Sequence, residues 1–168
     1  MTASRSKKVA TLALFLALAM ILSYVEAIVP IPIPVPGIKL GLANSAVLII
    51  LLLEKPGDAL LVSLVRIFLS GLLFGNAFSI IYSLSGGILS FVIMFLAIKL
   101  IKLHPVTASI LGGVFHNIGQ VIAACFILGT KAVLYYIPVL LVSGIITGAL
   151  IGIISNEIHK RIGGKILI

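Results

Sequence analysis

The 168-residue chain has no tryptophan, one cysteine and only four acidic residues, Glu26, Glu54, Asp58 and Glu157. The scarcity of acids removes whole classes of chemistry. Magnesium-assisted phosphoryl or prenyl transfer needs carboxylates that can share a metal, and only Glu54 and Asp58 lie close together, at a short turn. Cys125 sits within an apolar run, so it forms no internal disulfide and has no second thiol for a metal pair. A glycine-rich phosphate loop followed by Lys-Ser or Lys-Thr is missing, which excludes ATP hydrolysis by the chain itself. Neither a serine nucleophile elbow nor a zinc motif occurs. The sequence reads as non-enzymatic, with no cofactor and no metal site.

What it has instead is apolar length: 61% hydrophobic residues, 10% charged residues and a mean hydropathy of +1.36. No water-soluble fold hides that much apolar surface. A spanning helix needs roughly 20 apolar residues, and six would use about 120, leaving short loops and tails. The expectation is an all-α, polytopic membrane protein: a single transmembrane domain over residues 1–168 with six helices. Apolar runs place them at Val9 to Val29, Leu40 to Leu53, Asp58 to Phe74, Phe78 to Lys102, Val106 to Leu128 and Ala132 to Ile158. The second is short. The breaks between them, at Pro30 to Gly37, Glu54 to Gly57, Gly75 to Asn76, His104 to Pro105 and Gly129 to Lys131, carry turn and breaker chemistry. The first run is too long for the apolar region of a signal peptide and is followed by further spans, so it reads as a retained helix.

The net charge of +8 does not point to nucleic acid, because the basic residues flank apolar runs, where they set topology. Arg5, Lys7, Lys8, Lys55, Lys99, Lys102, Lys160, Arg161 and Lys165 fall on one side, against Lys39 and Lys131 on the other. That bias places both termini in the cytoplasm of a cell-membrane protein. The segment Pro30 to Gly37 alternates proline with branched apolar residues and must run extended in the first outside loop. It reads either as a rigid connector or as a lid over an outward-facing cavity.

Two charges lie within spans, where each costs about 2.5–3.5 kcal/mol on insertion scales. Glu26 is near the outer end of the first helix, where it can snorkel to the interface. Arg66 lies roughly 12 Å in from Asp58 and about as far from Gly75, near the midplane. Two readings stand for Arg66: an ion pair with Glu26 or capture by backbone carbonyls, or an anchor for an anionic ligand, which a guanidinium fork suits. Ser63 and Ser70 share its helix face. Helix five carries Gly112, Gly113, His116, Asn117 and Gln120, either as interhelical hydrogen bonding or as the wall of a liganded cavity. One intramembrane histidine without a nearby carboxylate or thiol gives too few ligands for a metal. Asn44, Asn76, Tyr82, Gln120, Tyr135 and Tyr136 fall in the outer half, so the polar groups run outward from the midplane. The candidate binding residues are Lys39, Asn44, Arg66, His116, Asn117 and Gln120. Ala13 and Ala17, and Gly144, Gly148 and Gly152, follow the small-xxx-small pattern of close helix contact.

The runs Pro36 to Asn44 (PGIKLGLAN), Arg66 to Gly75 (RIFLSGLLFG), Tyr82 to Gly87 (YSLSGG), His116 to Gln120 (HNIGQ) and Tyr135 to Gly144 together resemble the Gx transporter family, also labelled heptaprenyl diphosphate synthase component I. That family is similar to the S-components of energy-coupling factor (ECF) transporters. The resemblance implies a six-helix, S-component-like bundle that binds a small vitamin-, cofactor- or isoprenoid-like ligand from outside. It also implies docking on a membrane scaffold subunit (T-component) driven by two ATPase subunits. By the same resemblance Ala13 and Ala17 match the helix-one pair that meets the scaffold, and the proline segment matches a gating loop. A basic site favours an anionic ligand. The alternative is a non-catalytic membrane subunit that binds a lipid in isoprenoid or quinone synthesis.

Overall fold

The computed structural model describes residues 2–28, 39, 41–53 and 55–166. Among them there are six α-helices and no strand: α1 (Thr2–Ile28), α2 (Asn44–Leu53), α3 (Pro56–Phe74), α4 (Ala77–Phe95), α5 (Pro105–Leu128) and α6 (Ile137–Ile166). The proline segment expected as the first outside loop lies outside the described residues, as does Leu40, the expected start of the second helix.

Local chemistry explains the boundaries. Pro56 opens α3, where its missing N–H costs nothing, and Asp58 follows in the first turn, where a carboxylate complements the helix dipole. Asn76 caps α4, its Oδ1 accepting the Ser79 N–H at 2.9 Å. α4 continues as a π-helical turn, Leu96–Leu100, so the run expected to end at Lys102 is helical nearly to its end. Pro105 opens α5, and Gly129 ends it in the left-handed conformation at φ +61° that glycine adopts without strain. The last expected helix divides into a 3₁₀ turn, Ala132–Tyr136, and α6 proper.

Among the described residues five helices are long and apolar enough to cross a membrane, and α2 is not. Its ten residues extend about 15 Å, half the hydrocarbon thickness. All of them except Leu52 are buried, because a helix apolar on every face is stable only inside other helices. The expected six-helix bundle is present, with α2 as its enclosed pillar. Around α2 packs an apolar core that includes Phe15 of α1, Val62 of α3, Met94 of α4 and Ile151 of α6.

α1 and α3 run parallel. Lys8 and Asp58, near their N-termini, form an ion pair at 2.7 Å, and the rings of Tyr24 and Phe74, near their C-termini, lie 5.1 Å apart. α5 sits between α4 and α6, its broadest neighbours. Glycine makes that seating possible. A Cβ on Gly113 would strike the Gly144 carbonyl oxygen, and one on Gly148 would meet the Ile110 Cα at 2.7 Å. The Gly144, Gly148, Gly152 row therefore packs internally, against α5. Large apolar side chains such as Leu72, Phe126 and Ile146 face outward, as expected of a lipid-facing surface.

Candidate functional site

The helix faces that turn inward bring charge with them. On α1 the buried stripe Phe15, Ala19, Ser23, Glu26 follows helical spacing and ends in a carboxylate. On α3 the inward face is Val62, Ser63, Arg66, Ile67 and Ser70, so the arginine goes in with its serines. Arg66 is 2% exposed and Glu26 4%. The expectation that Glu26 snorkels to the interface is corrected by this burial. Its Oε1 accepts the Leu42 N–H at 2.7 Å, which ties the carboxylate to the turn leading into α2.

That turn carries Lys39, which is also buried. Its main chain forms a reciprocal pair with Gln120 of α5: Lys39 N–H donates to Gln120 Oε1 and Gln120 Nε2 donates to the Lys39 carbonyl, both at 2.8 Å. The segment is thus fastened on one side to α1 through Glu26 and on the other to α5 through Gln120. Gly41 makes the fold-back, with φ +86°. It also lets the His116 ring approach, since a Cβ there would stand 3.1 Å from His116 Cδ2.

α4 supplies the remaining wall. Ser79, Ser83, Gly86 and Ser90 recur at one helical face and are all buried. Gly86 is required by α5: its Cβ would lie 2.6 Å from the His116 carbonyl oxygen and 2.9 Å from Gln120 Cγ. Asn44, the first residue of α2, reaches Ser90 Oγ at 3.4 Å.

Burial without pairing distinguishes this cluster from ordinary interhelical bonding. Arg66 Nε and Nη2, Lys39 Nζ, both nitrogens of His116 and Glu26 Oε2 are buried and make no hydrogen bond. The only ion pairs among the described residues are Lys8–Asp58 and Arg161–Glu157, so the Glu26–Arg66 ion pair is not made. The charges still act on one another at longer range: Glu26 attracts Lys39 and Arg66, and Arg66 repels Lys39. Burial is the largest influence on the Lys39 ammonium and holds it below the usual lysine value, partly offset by Glu26. Native proteins rarely leave buried polar atoms without partners, and a buried charge that persists unpaired is a mark of function.

The six candidate residues divide by what they touch. Lys39, Arg66 and His116 present free polar atoms within the cluster. Gln120 is committed to holding Lys39. Asn44 braces α2 against α4. Asn117 turns to α6, donating to the Leu140 carbonyl at 2.6 Å, and only its Oδ1 is unpartnered. Two contributors escaped the sequence reading. Glu26 reads from the sequence as an interfacial residue because it lies near a helix end. The α4 wall is the other, and its signal in the sequence is the helical spacing of small and polar residues at 79, 83, 86 and 90.

Away from the cluster, Ala13 and Ala17 are exposed and lie on the outer face of α1. Beside them an apolar groove of about 280 Å³ runs between α1 and α3, lined by Val9, Leu12, Ala13, Leu16, Leu61 and Val65 among others.

The model of one protein family, described as heptaprenyl diphosphate synthase component I, matches residues 15–158. That stretch contains the whole of the buried polar cluster and Ala17, but not Ala13. No curated protein and no solved structure is detectably similar to the chain.

Proposed function

We propose, from the premise that the chain belongs to the heptaprenyl diphosphate synthase component I family, that it is the substrate-binding membrane subunit of an ECF-type importer and not itself an enzyme. A single observation carries the reading: two cationic side chains, Arg66 and Lys39, are buried in the bundle with no hydrogen-bond partner for their free donors. A small anionic ligand supplies that partner. Arg66 receives it as a fork, Lys39 adds a second positive charge, and His116 offers a ring nitrogen on the α5 side. Gln120 positions Lys39, and Asn117 holds α5 on α6.

The ligand enters from the outside and is released inward when the subunit docks on a scaffold driven by two ATPases. Both termini are cytoplasmic in this arrangement, and the exposed Ala13 and Ala17 face forms the docking surface, where small side chains let a partner helix come close. Affinity purification of the tagged chain from its native membrane tests the proposal. Recovery of a membrane scaffold with two ATPases is expected, and Ala17→Phe, on an exposed position, abolishes it without unfolding the subunit.

The family's description favours a second reading, a non-catalytic membrane subunit that binds a lipid in isoprenoid or quinone synthesis. Recovery of a soluble prenyl synthase in place of the ATPases would establish it.

A further inference from the structure

We infer that the buried cluster selects a ligand with a single negative charge and an adjacent hydrogen-bond donor, and discriminates against diphosphates. The inference rests on the cluster being a ligand site and concerns what that site accepts.

Charge sets the first condition on the ligand. Arg66 and Lys39 with Glu26 leave one formal positive charge in a buried setting. Removing charge from water is expensive, so the bound state is most favourable when the enclosed charges sum to zero. One negative charge achieves this. A diphosphate brings several, and overshoots.

The pattern of free atoms sets a second. Arg66 Nε and Nη2 and Lys39 Nζ are donors, but Glu26 Oε2 is an acceptor with no partner. Glu26 Oε1 is already committed to the Leu42 N–H, so the free oxygen is held beside the turn that carries Lys39. A ligand made only of acceptor oxygens satisfies the cations and sets like charge against that carboxylate. A carboxylate with a neighbouring O–H or N–H satisfies both sets at once, and an acceptor left bare in a buried site costs more than the bond itself is worth. The His116 nitrogens, also free, can take either role depending on which carries the proton.

Specificity follows from the same pattern. Buried groups that demand a donor reject ligands lacking it far more strongly than an apolar wall does. Glu26 is therefore a selectivity residue of the site, acting against polyanions as much as for its ligand.

The test uses the full-length protein in detergent, with thermal unfolding followed by a thiol-reactive dye at Cys125. The probes are acetate, glycolate and inorganic pyrophosphate, and the protection counted is the part lost in Arg66→Met, or in Lys39→Met if the first variant does not fold. Glycolate, which adds a hydroxyl to acetate, is expected to protect at about tenfold lower concentration, the ratio for one added hydrogen bond to a charged group. Pyrophosphate is expected to protect least. Glu26→Gln should erase the glycolate advantage and raise pyrophosphate protection. Strongest protection by pyrophosphate in the unmodified protein, or an order unchanged by Glu26→Gln, overturns the inference while leaving an anion site in place. Protection by none of the probes, with no effect of either cation variant, overturns the site as well.

Discussion

Replacing Arg66 by methionine should stabilise the ligand-free protein while destroying its ligand site. The guanidinium is 2% exposed, and its Nε and Nη2 have no partner. An arginine at mid-span costs about 2.5–3.5 kcal/mol on insertion scales, and methionine keeps the apolar stem that packs in α3 while removing the charge. The loss that opposes this is the attraction of Glu26, which makes no direct contact and acts only at longer range. A net gain of up to about 2 kcal/mol remains, which for a chain of this size raises the unfolding midpoint by up to roughly 8 °C. Thermal unfolding in detergent without added anion measures it. A midpoint that falls by a similar amount would refute the reasoning, because it would show that Arg66 holds the bundle together. The expected pattern, stability gained where function is lost, is that of a residue kept for binding.

Three further outcomes follow from the same geometry. Gly113→Ala should destabilise the protein by about 1–3 kcal/mol, because the new Cβ strikes the Gly144 carbonyl of α6 and backbone cannot yield as a side chain can. Gly57→Ala, where nothing lies within 4 Å, should be neutral or stabilising by up to about 1 kcal/mol in the same unfolding assay. Burial lowers the Lys39 ammonium from the ordinary 10.5, so charge is lost in the folded protein at a pH where the unfolded chain still holds it. Stability without ligand therefore rises as pH increases from the folded value toward 10.5. Anion affinity falls over the same window, and Lys39→Met should remove both trends.

The helices were legible because their signals are local: apolar length and breaks at Pro56, Asn76, Pro105 and Gly129, which in the structure are two helix starts, a cap and a stop. Arg66 and His116 were legible because a polar residue in a long apolar run is conspicuous by itself. Glu26 was not, since its distance from the helix end suggested an interface, and only the turn at Leu42 folding onto it makes it a buried group. The committed amide of Gln120 was equally hidden, because its partner is the main chain of Lys39, 81 residues away. The shortness of α2 was visible in the sequence, but its enclosure depends on five neighbours that no local pattern specifies.

The central claim is that the buried cationic cluster exists to hold an anionic small molecule. Mass spectrometry of small molecules retained on the protein, purified gently from its native membrane, tests it most directly, with Arg66→Met prepared in parallel. A near-stoichiometric anionic compound is predicted on the unmodified protein and absent from the variant. The same compounds at the same level on both, or none on either, would contradict it.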